Sequence, residues 1–321
     1  MPPETNATMH TMAAQAWRVT RQQLGVLLAL ILLIVIAHFV SDRFLTIPNL
    51  LNVVRQVAIV GILAIGQTYV ILTAGIDLSV GSILGLAVVL FAGLLESHSI
   101  AVAVPLGLLA GILIGIINGI GVAYARIPAF IMTLGTLSFA RGLAFIYTGG
   151  TPIPIINEDY YYVGNGYLLG MPIPSLILIS TLIAGAIVLR MTPFGRCVYG
   201  IGSNEDAARL SGVPVQRYKI FVYAISGGCA ALAGLVYSSQ LGVGTPIAGQ
   251  AYELDSIAAV VVGGTALFGG KGSVFGTFIG TLIIGVLANV LNLAGVDPFV
   301  QQLFKGGLII IAVFIMSRNR S

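Results

Sequence analysis

Charge is what this chain has least of. Only 8% of its 321 residues are Asp, Glu, Lys or Arg, where a soluble domain carries about 25%, so water-soluble domains of this length are excluded for want of polar surface. Cysteine is scarce as well. Cys197 falls in a basic loop and Cys229 in an apolar segment, and neither placement suggests a disulfide. His10, His38 and His98 show no metal-ligand spacing. The formal charge of +4 comes without any Lys/Arg-rich run, which argues against nucleic acid as a partner. A phosphate loop is missing too: Gly270-Lys271 would need Gly at 265 and Ser or Thr at 272, where the chain has Thr265 and Gly272. Lys271 therefore reads as a charge at a tight helix turn on the inner side, and no nucleotide site is expected on this chain.

What is abundant is apolar surface and glycine. Hydrophobic residues make up 57% of the chain, mean hydropathy is +1.02, and Gly fills 41 positions, about 13% against a usual figure of about 7%. Apolar stretches run uninterrupted for near twenty residues, the length a spanning helix needs, whereas a porin-type barrel shows strands of about ten with alternating polarity. The expected fold is an all-α integral membrane protein with about ten transmembrane helices and Gly-rich packing. The spans fall at roughly 24–40, 57–73, 80–95, 101–124, 128–148, 174–190, 220–240, 254–268, 273–294 and 299–316. The first run is too long for a secretory signal and has no small-x-small site before Ser41, so it reads as an uncleaved span.

Lys and Arg in the loops give the direction. With the N-terminus inside, the inner set is Arg18, Arg21, Arg126, Arg190, Arg196, Arg209, Arg217, Lys219, Lys271, Arg318 and Arg320, against Arg43 and Arg55 outside. Both termini are then cytoplasmic. A tail over 1–23 leads into a single membrane domain over 24–316, with a tail over 317–321. Two loops exceed connectors. The outer one, about 149–173, holds Glu158, Asp159 and the interface-type triplet Tyr160, Tyr161 and Tyr162, and suits a short surface helix. In the inner one, about 191–219, Ser203 or Asn204 caps a short helix with Glu205 and Asp206 in its first turn, stopped by Gly212 and Pro214. A polar helix on that face invites a soluble partner.

Gly107, Gly111, Gly115 and Gly119 recur every fourth residue, as do Gly272, Gly276 and Gly280. This is the small-xxx-small device for close helix crossing, read as packing within the fold. A weak internal echo links the stretch from Gly75 through Gly85 with that from Gly264 through Gly276. Asp77 is the sharpest polar feature, lying between two apolar runs and flanked by glycines. Ionisable residues at membrane depth are functional candidates, and broken helices are tolerated only beside a cavity or within protein. Asp77 or Ser79 also serves as a cap for the third span, and both roles are compatible. Gln67, Thr68, Asn118, Asn289 and Asn292 add uncharged hydrogen-bonding groups that suit a neutral hydroxylated solute or bind helix to helix. Arg141 and Lys305 lie within spans and are expected to snorkel to the interface. With Asp77 the one carboxylate at mid-depth, an ion-coupled secondary transporter is disfavoured, and a lipid-acting enzyme lacks a nucleophile or metal cluster.

Three separated stretches make the pattern specific: Thr73-Ala-Gly-Ile-Asp77-Leu-Ser79-Val-Gly81-Ser82, Gly202-Ser-Asn204-Glu205-Asp-Ala207-Ala208-Arg-Leu-Ser211-Gly212-Val213, and Tyr252-Glu253-Leu-Asp255 through Gly263-Gly264-Thr265 with Gly269-Gly-Lys271-Gly272. In this order, from about residue 44 to the last span, the chain resembles the permease subunit of ribose-type ATP-binding-cassette sugar importers. Branched-chain amino acid permeases share the general plan but not the Gly-Ile-Asp-Leu-Ser-Val-Gly run. The resemblance implies an inner-membrane permease that pairs with a second copy, is driven by a cytoplasmic ATPase with two nucleotide-binding modules, and receives a monosaccharide from a periplasmic binding protein. ATP and Mg would belong to the ATPase, and no cofactor to this chain. It further implies that Asn204, Glu205, Ala207, Ala208, Ser211 and Gly212 form the helix that couples to the ATPase. Asp77, Ser79 and Gly81, with Gln67, Asn118 and Asn289, would belong to the translocation pathway. Arg43, Arg55, Glu158 and Asp159 are candidate rim charges for the binding protein.

Overall fold

The structure is a computed structural model and describes residues 24–297, 299–304, 306, 307 and 310. The tails over 1–23 and 317–321 and half of the expected span 299–316, Lys305 included, lie outside the described residues, although 299–304 are helical. Helices dominate: α1 (Leu24–Val40), then α2 (Ile47–Leu72), α3 (Val80–Leu95), α4 (Ile100–Ala123), α5 (Ala129–Thr148), α6 (Glu158–Asn165), α7 (Ile173–Met191), α8 (Pro193–Ser203), α9 (Glu205–Leu210), α10 (Val215–Leu241), α11 (Tyr252–Val262) and α12 (Val274–Leu293). Among the described residues six are long and apolar enough to cross a membrane: α2, α4, α5, α7, α10 and α12. Two shorter apolar helices, α1 and α3, accompany them.

Boundaries depart from the sequence reading where polar residues sit inside helices. α2 starts ten residues ahead of the expected 57, with Pro48 in its first turn, where a missing N–H costs nothing. α10 likewise begins at Val215, directly after Pro214. The eighth expected span, 254–268, is not one continuous helix: α11 stops at Val262 ahead of Gly263 and Gly264, and its 11 residues reach about 16 Å, so a crossing of a hydrocarbon core of about 30 Å there would be shared with the non-helical residues 263–273.

α10 packs against α4, α2 and α3, with α11 and α12 on the other side of α2. In the glycine stripe of α4, Gly107 lies against Phe91 of α3, and Gly111, Gly115 and Gly119 face α10. A Cβ on Gly111 would lie 2.6 Å from the Gly227 carbonyl oxygen, and one on Gly119 would lie 2.5 Å from Ile220 Cα, so the stripe serves packing within the chain. Leu106, Leu109, Leu113 and Ile117, on the outward face of α4, are exposed. In the outer loop, β1 (Ile153–Pro154) pairs antiparallel with β4 (Val243–Gly244), and β2 (Tyr167–Leu168) with β3 (Met171–Pro172). The short surface helix is α6, capped by Asn157 accepting from Tyr160 N. The tyrosine triplet divides. Tyr161 and Tyr162 are exposed, while Tyr160 is buried with its hydroxyl 2.6 Å from Ser238 Oγ, so it is a packing residue and not an interface anchor.

Candidate functional site

The chain breaks between α2 and α3, and the break is built around Asp77. Ser79 N and Ser79 Oγ donate to Asp77 Oδ1 (3.0 and 2.6 Å), and Ser226 Oγ from α10 donates to Oδ2 (2.8 Å). Asn118 Nδ2 of α4 donates to Ser79 Oγ at 2.9 Å and itself accepts from Thr136 Oγ1 of α5 at 2.5 Å. With its amide turned to satisfy both ends, Gln67 of α2 donates to the Asp77 carbonyl (3.2 Å) and accepts from Asp77 N (3.1 Å). Asp77, Ser79, Gln67 and Asn118 are each 0% exposed. The sequence candidates thus meet in one node that ties α2, α4, α5 and α10 to the break. Interrupted backbone inside a membrane demands such satisfaction, because there is no water to supply it.

Asn289 is placed elsewhere. It exchanges reciprocal amide hydrogen bonds with Asn49 (3.0 and 2.9 Å). Asn49 and Gln67 are 18 residues apart on α2, about 27 Å at the helical rise, so Asn289 does not join the Asp77 node. Gly81 opens α3, and a Cβ there would collide with the Glu253 carboxylate and the Gly249 carbonyl. That contact brings in Arg141, which the sequence reading sent to the interface. Instead Arg141 Nη1 donates to the carbonyls of Pro246 and Ala248 (both 2.6 Å). The correction has a physical cause: the irregular stretch before α11 leaves carbonyls unpaired, and a guanidinium fork satisfies two of them at once. Sequence spacing carried no signal for this, since the partners are 105 and 107 residues away.

On the opposite end of α10 lies the short polar helix. Asn204 Oδ1 accepts from Ala207 N (2.9 Å), Glu205 and Asp206 occupy the first turn, and Gly212 follows the end at φ +83°. Val213 N donates to Ala208 O and Gly212 N to Arg209 O (3.1 and 3.0 Å), the double bond of a Schellman close. Ser211 Oγ donates to Ala207 O at 2.9 Å. No residue of α9 is buried, and Leu210 is 89% exposed. Glu205 pairs with Arg209 (2.8 Å) and Lys219 (2.6 Å). Partial burial raises its pKa, but the two cations outweigh that and hold it below the ordinary glutamate value.

α8 carries the contact inward. A Cβ on Gly202 would strike the Leu72 carbonyl at the end of α2, and Gly270 N donates to that same carbonyl at 3.0 Å. Tyr199 OH donates to Gly272 O at 2.9 Å. The two interrupted stretches, 73–79 and 263–273, therefore lie side by side, with the segment ahead of the polar helix against both. On the far face, Arg43, Glu158 and Asp159 are exposed. Arg55 belongs to α2 and not to a loop: its guanidinium stacks 5.0 Å from the Tyr167 ring centroid and reaches the Asn165 carbonyl at 3.5 Å, so it staples the outer loop.

Comparison with known proteins bears on this geometry. A family model described as "Branched-chain amino acid transport system / permease component" matches residues 49–313. The chain belongs to this permease family. The permease is 46% identical over 303 residues to the ribose import permease protein RbsC of Bacillus subtilis, with 94% of each chain covered. It is 42% identical over 312 residues to the ribose import permease protein RbsC of Escherichia coli K12, covering 95% and 96%. With the xylose transport system permease protein XylH of Haemophilus influenzae the identity is 36% over 365 residues, covering 92% and 97%. The permease is a multi-pass inner-membrane protein and a transport subunit, not itself a catalyst.

Proposed function

We propose that this permease carries a monosaccharide, with ribose the leading substrate, from a periplasmic binding protein to the cytoplasm by alternating access. A second copy of the chain completes the path, and a cytoplasmic ATPase with two nucleotide-binding modules supplies ATP, Mg and the driving force. The chain forms one membrane domain of ten spans with both termini cytoplasmic, an orientation favoured by the eleven inner against two outer cations of the loops. Ribose is favoured over xylose because the ribose import permeases are 46% and 42% identical to this chain and the xylose permease 36%.

The observation that carries this reading is the position of α8 and α9. A helix with no buried residue is offered to a soluble partner, while Gly202, two residues before its cap, presses on the backbone of both interrupted stretches. Closure of the ATPase would move Asn204, Glu205, Ala207, Ala208, Ser211 and Gly212 as one unit and shift the breaks. Asp77, Ser79, Gln67 and Asn118 hold the first break beside the path, Gly81 keeps the approach to α3 free of side chain, and the Asn49–Asn289 pair fixes α12 to α2 further along. Arg43, Glu158 and Asp159 steer the binding protein, affecting encounter more than tightness.

Reconstitution tests it. The permease with ATPase, binding protein and ATP should accumulate ribose in proteoliposomes, and omission of any one component should abolish uptake. Accumulation by the permease alone under an ion gradient would establish a secondary transporter. Uptake of another pentose, a hexose or inositol in preference to ribose would move the substrate within the same class.

A further inference from the structure

Between α9 and the first break lies a cavity of about 320 Å³, at the low end of the usual ~300–1,000 Å³ for small-molecule sites. Its walls come from residues 73–75, the α4–α5 connection with Arg126, α9 with Glu205 and Arg209, and the start of α10 with Lys219 and Tyr223. Three cations face one carboxylate, leaving two positive charges uncompensated. Glu205 holds Arg209 and Lys219 at 2.8 and 2.6 Å, which fixes both side chains while leaving most of their donors free, since a guanidinium has five N–H groups and an ammonium three. Arg126 has no ion pair among the described residues. It and the opposing Ala74 are held in left-handed backbone conformations, φ +53° and +60°. Tyr223 closes the inner wall, 1% exposed, its hydroxyl unpartnered and lying against Gly75.

We propose that this cavity binds a phosphate-bearing anion between Arg126 and the Arg209–Lys219 pair. Two guanidinium forks and an ammonium lining one partly enclosed space suit a phosphate group, and a neutral sugar gives no reason for three cations. The ligand bridges α9 and the first turns of α10 to the α4–α5 connection and to residues 73–75, which lead directly to Asp77. Occupancy therefore restrains the polar helix relative to the break. Two sources carry this chemistry on the same face as α9: a soluble sugar phosphate, the product of a kinase-type reaction on an imported sugar, and the headgroup of an anionic lipid. That the cavity opens to the cytoplasm rests on the orientation proposed above, whereas binding itself does not.

The test uses the permease assembled with its ATPase in nanodiscs, where both faces are accessible and neither orientation nor transport enters the readout. In phosphatidylcholine discs, ribose 5-phosphate should bind saturably, free ribose should not compete, and Arg126→Gln should weaken binding at least tenfold while Arg126→Lys, which keeps the charge but not the fork, weakens it less. In discs containing phosphatidylglycerol, native mass spectrometry should find that lipid retained by the unaltered protein and lost from Arg126→Gln if the headgroup is the occupant. Thermal melting without ligand verifies that the variants fold. The proposal is overturned if neither probe binds, if both bind Arg126→Gln as well as the unaltered protein, or if free ribose competes as well as its phosphate.

Discussion

Replacing Asp77 by alanine removes an acceptor that takes three hydrogen bonds, from Ser79 N, Ser79 Oγ and Ser226 Oγ. A buried donor left without its acceptor costs about 1–3 kcal/mol, although hydrogen bonds measured between membrane helices average only about 0.6. Three donors lose their acceptor together here, so at about 1–2 kcal/mol each Asp77→Ala should cost about 3–6 kcal/mol and lower the melting temperature sharply. Asp77→Asn is the informative variant. It keeps Oδ1 for Ser79, and its new Nδ2 donates to Ser226 Oγ, whose hydroxyl turns from donor to acceptor. The cost is then about 1–2 kcal/mol, because every partner keeps a hydrogen bond and only its strength changes. If Asp77 acts by holding the break, purified Asp77→Asn melts a few degrees lower and retains most ATP-driven uptake in proteoliposomes. A variant that melts like the unaltered protein but transports nothing refutes this, because the negative charge itself would then be required.

Gly202→Val thrusts a side chain into the Leu72 carbonyl and breaks its bond from Gly270. Overpacking of this kind costs about 1–3 kcal/mol, and ATP hydrolysis should continue while uptake falls at least tenfold; parallel loss of both would assign Gly202 to general stability instead. Glu205→Lys places three cations around one point, and together with Ala208→Phe it should uncouple hydrolysis from uptake with normal insertion, so unchanged uptake removes α9 from coupling. Gly115→Leu forces a side chain into the Tyr223 carbonyl between α4 and α10; a loss of about 3 kcal/mol or more is expected in a thermal melt, and tolerance would mean the two helices separate freely. The depressed pKa of Glu205 gives a sign to acid behaviour. Its ion pairs are intact above the ordinary glutamate value of about 4.5 and fade as pH falls through the lower folded value. Amide exchange in α9, corrected for intrinsic rate, should therefore rise only below about pH 4.5 and stay flat between pH 5 and 8.

The parts legible in the sequence are those that local chemistry fixes. Asn204, Glu205 and Gly212 state a cap, a dipole and a stop within nine residues, and α9 appears there. α3 begins and ends where the hydropathy does, at Val80 and Leu95. The glycine stripe of α4 likewise needs no partner to be recognised, only one to be packed against. What failed to read was set by distant partners. Arg141 looked like a snorkelling cation because its carbonyl acceptors come from a stretch a hundred residues on, which only the fold presents. The eighth span reads as one unbroken helix because the apolar run continues through Leu267 and Phe268, while Gly263 and Gly264 end α11 inside it. Asn289 was grouped with Asp77 by residue type, but depth along α2 separates them.

The arrangement also explains why the membrane-embedded charges need not touch cargo. A path that releases its solute gains nothing from strong fixed contacts, as the logic of weak multi-site conduction requires. Asp77 and Arg141 are instead spent on backbone: one receives the donors of the first break, the other covers the bare carbonyls ahead of α11. Both interrupted stretches are thereby stiff, and stiffness is what transmission requires, because packed elements switch between discrete arrangements and do not deform continuously. On the coupling role proposed for α9, a push there would reach Leu72 and Gly270 through the close approach of Gly202, so the force would arrive at two neighbouring points and the breaks would move together or not at all.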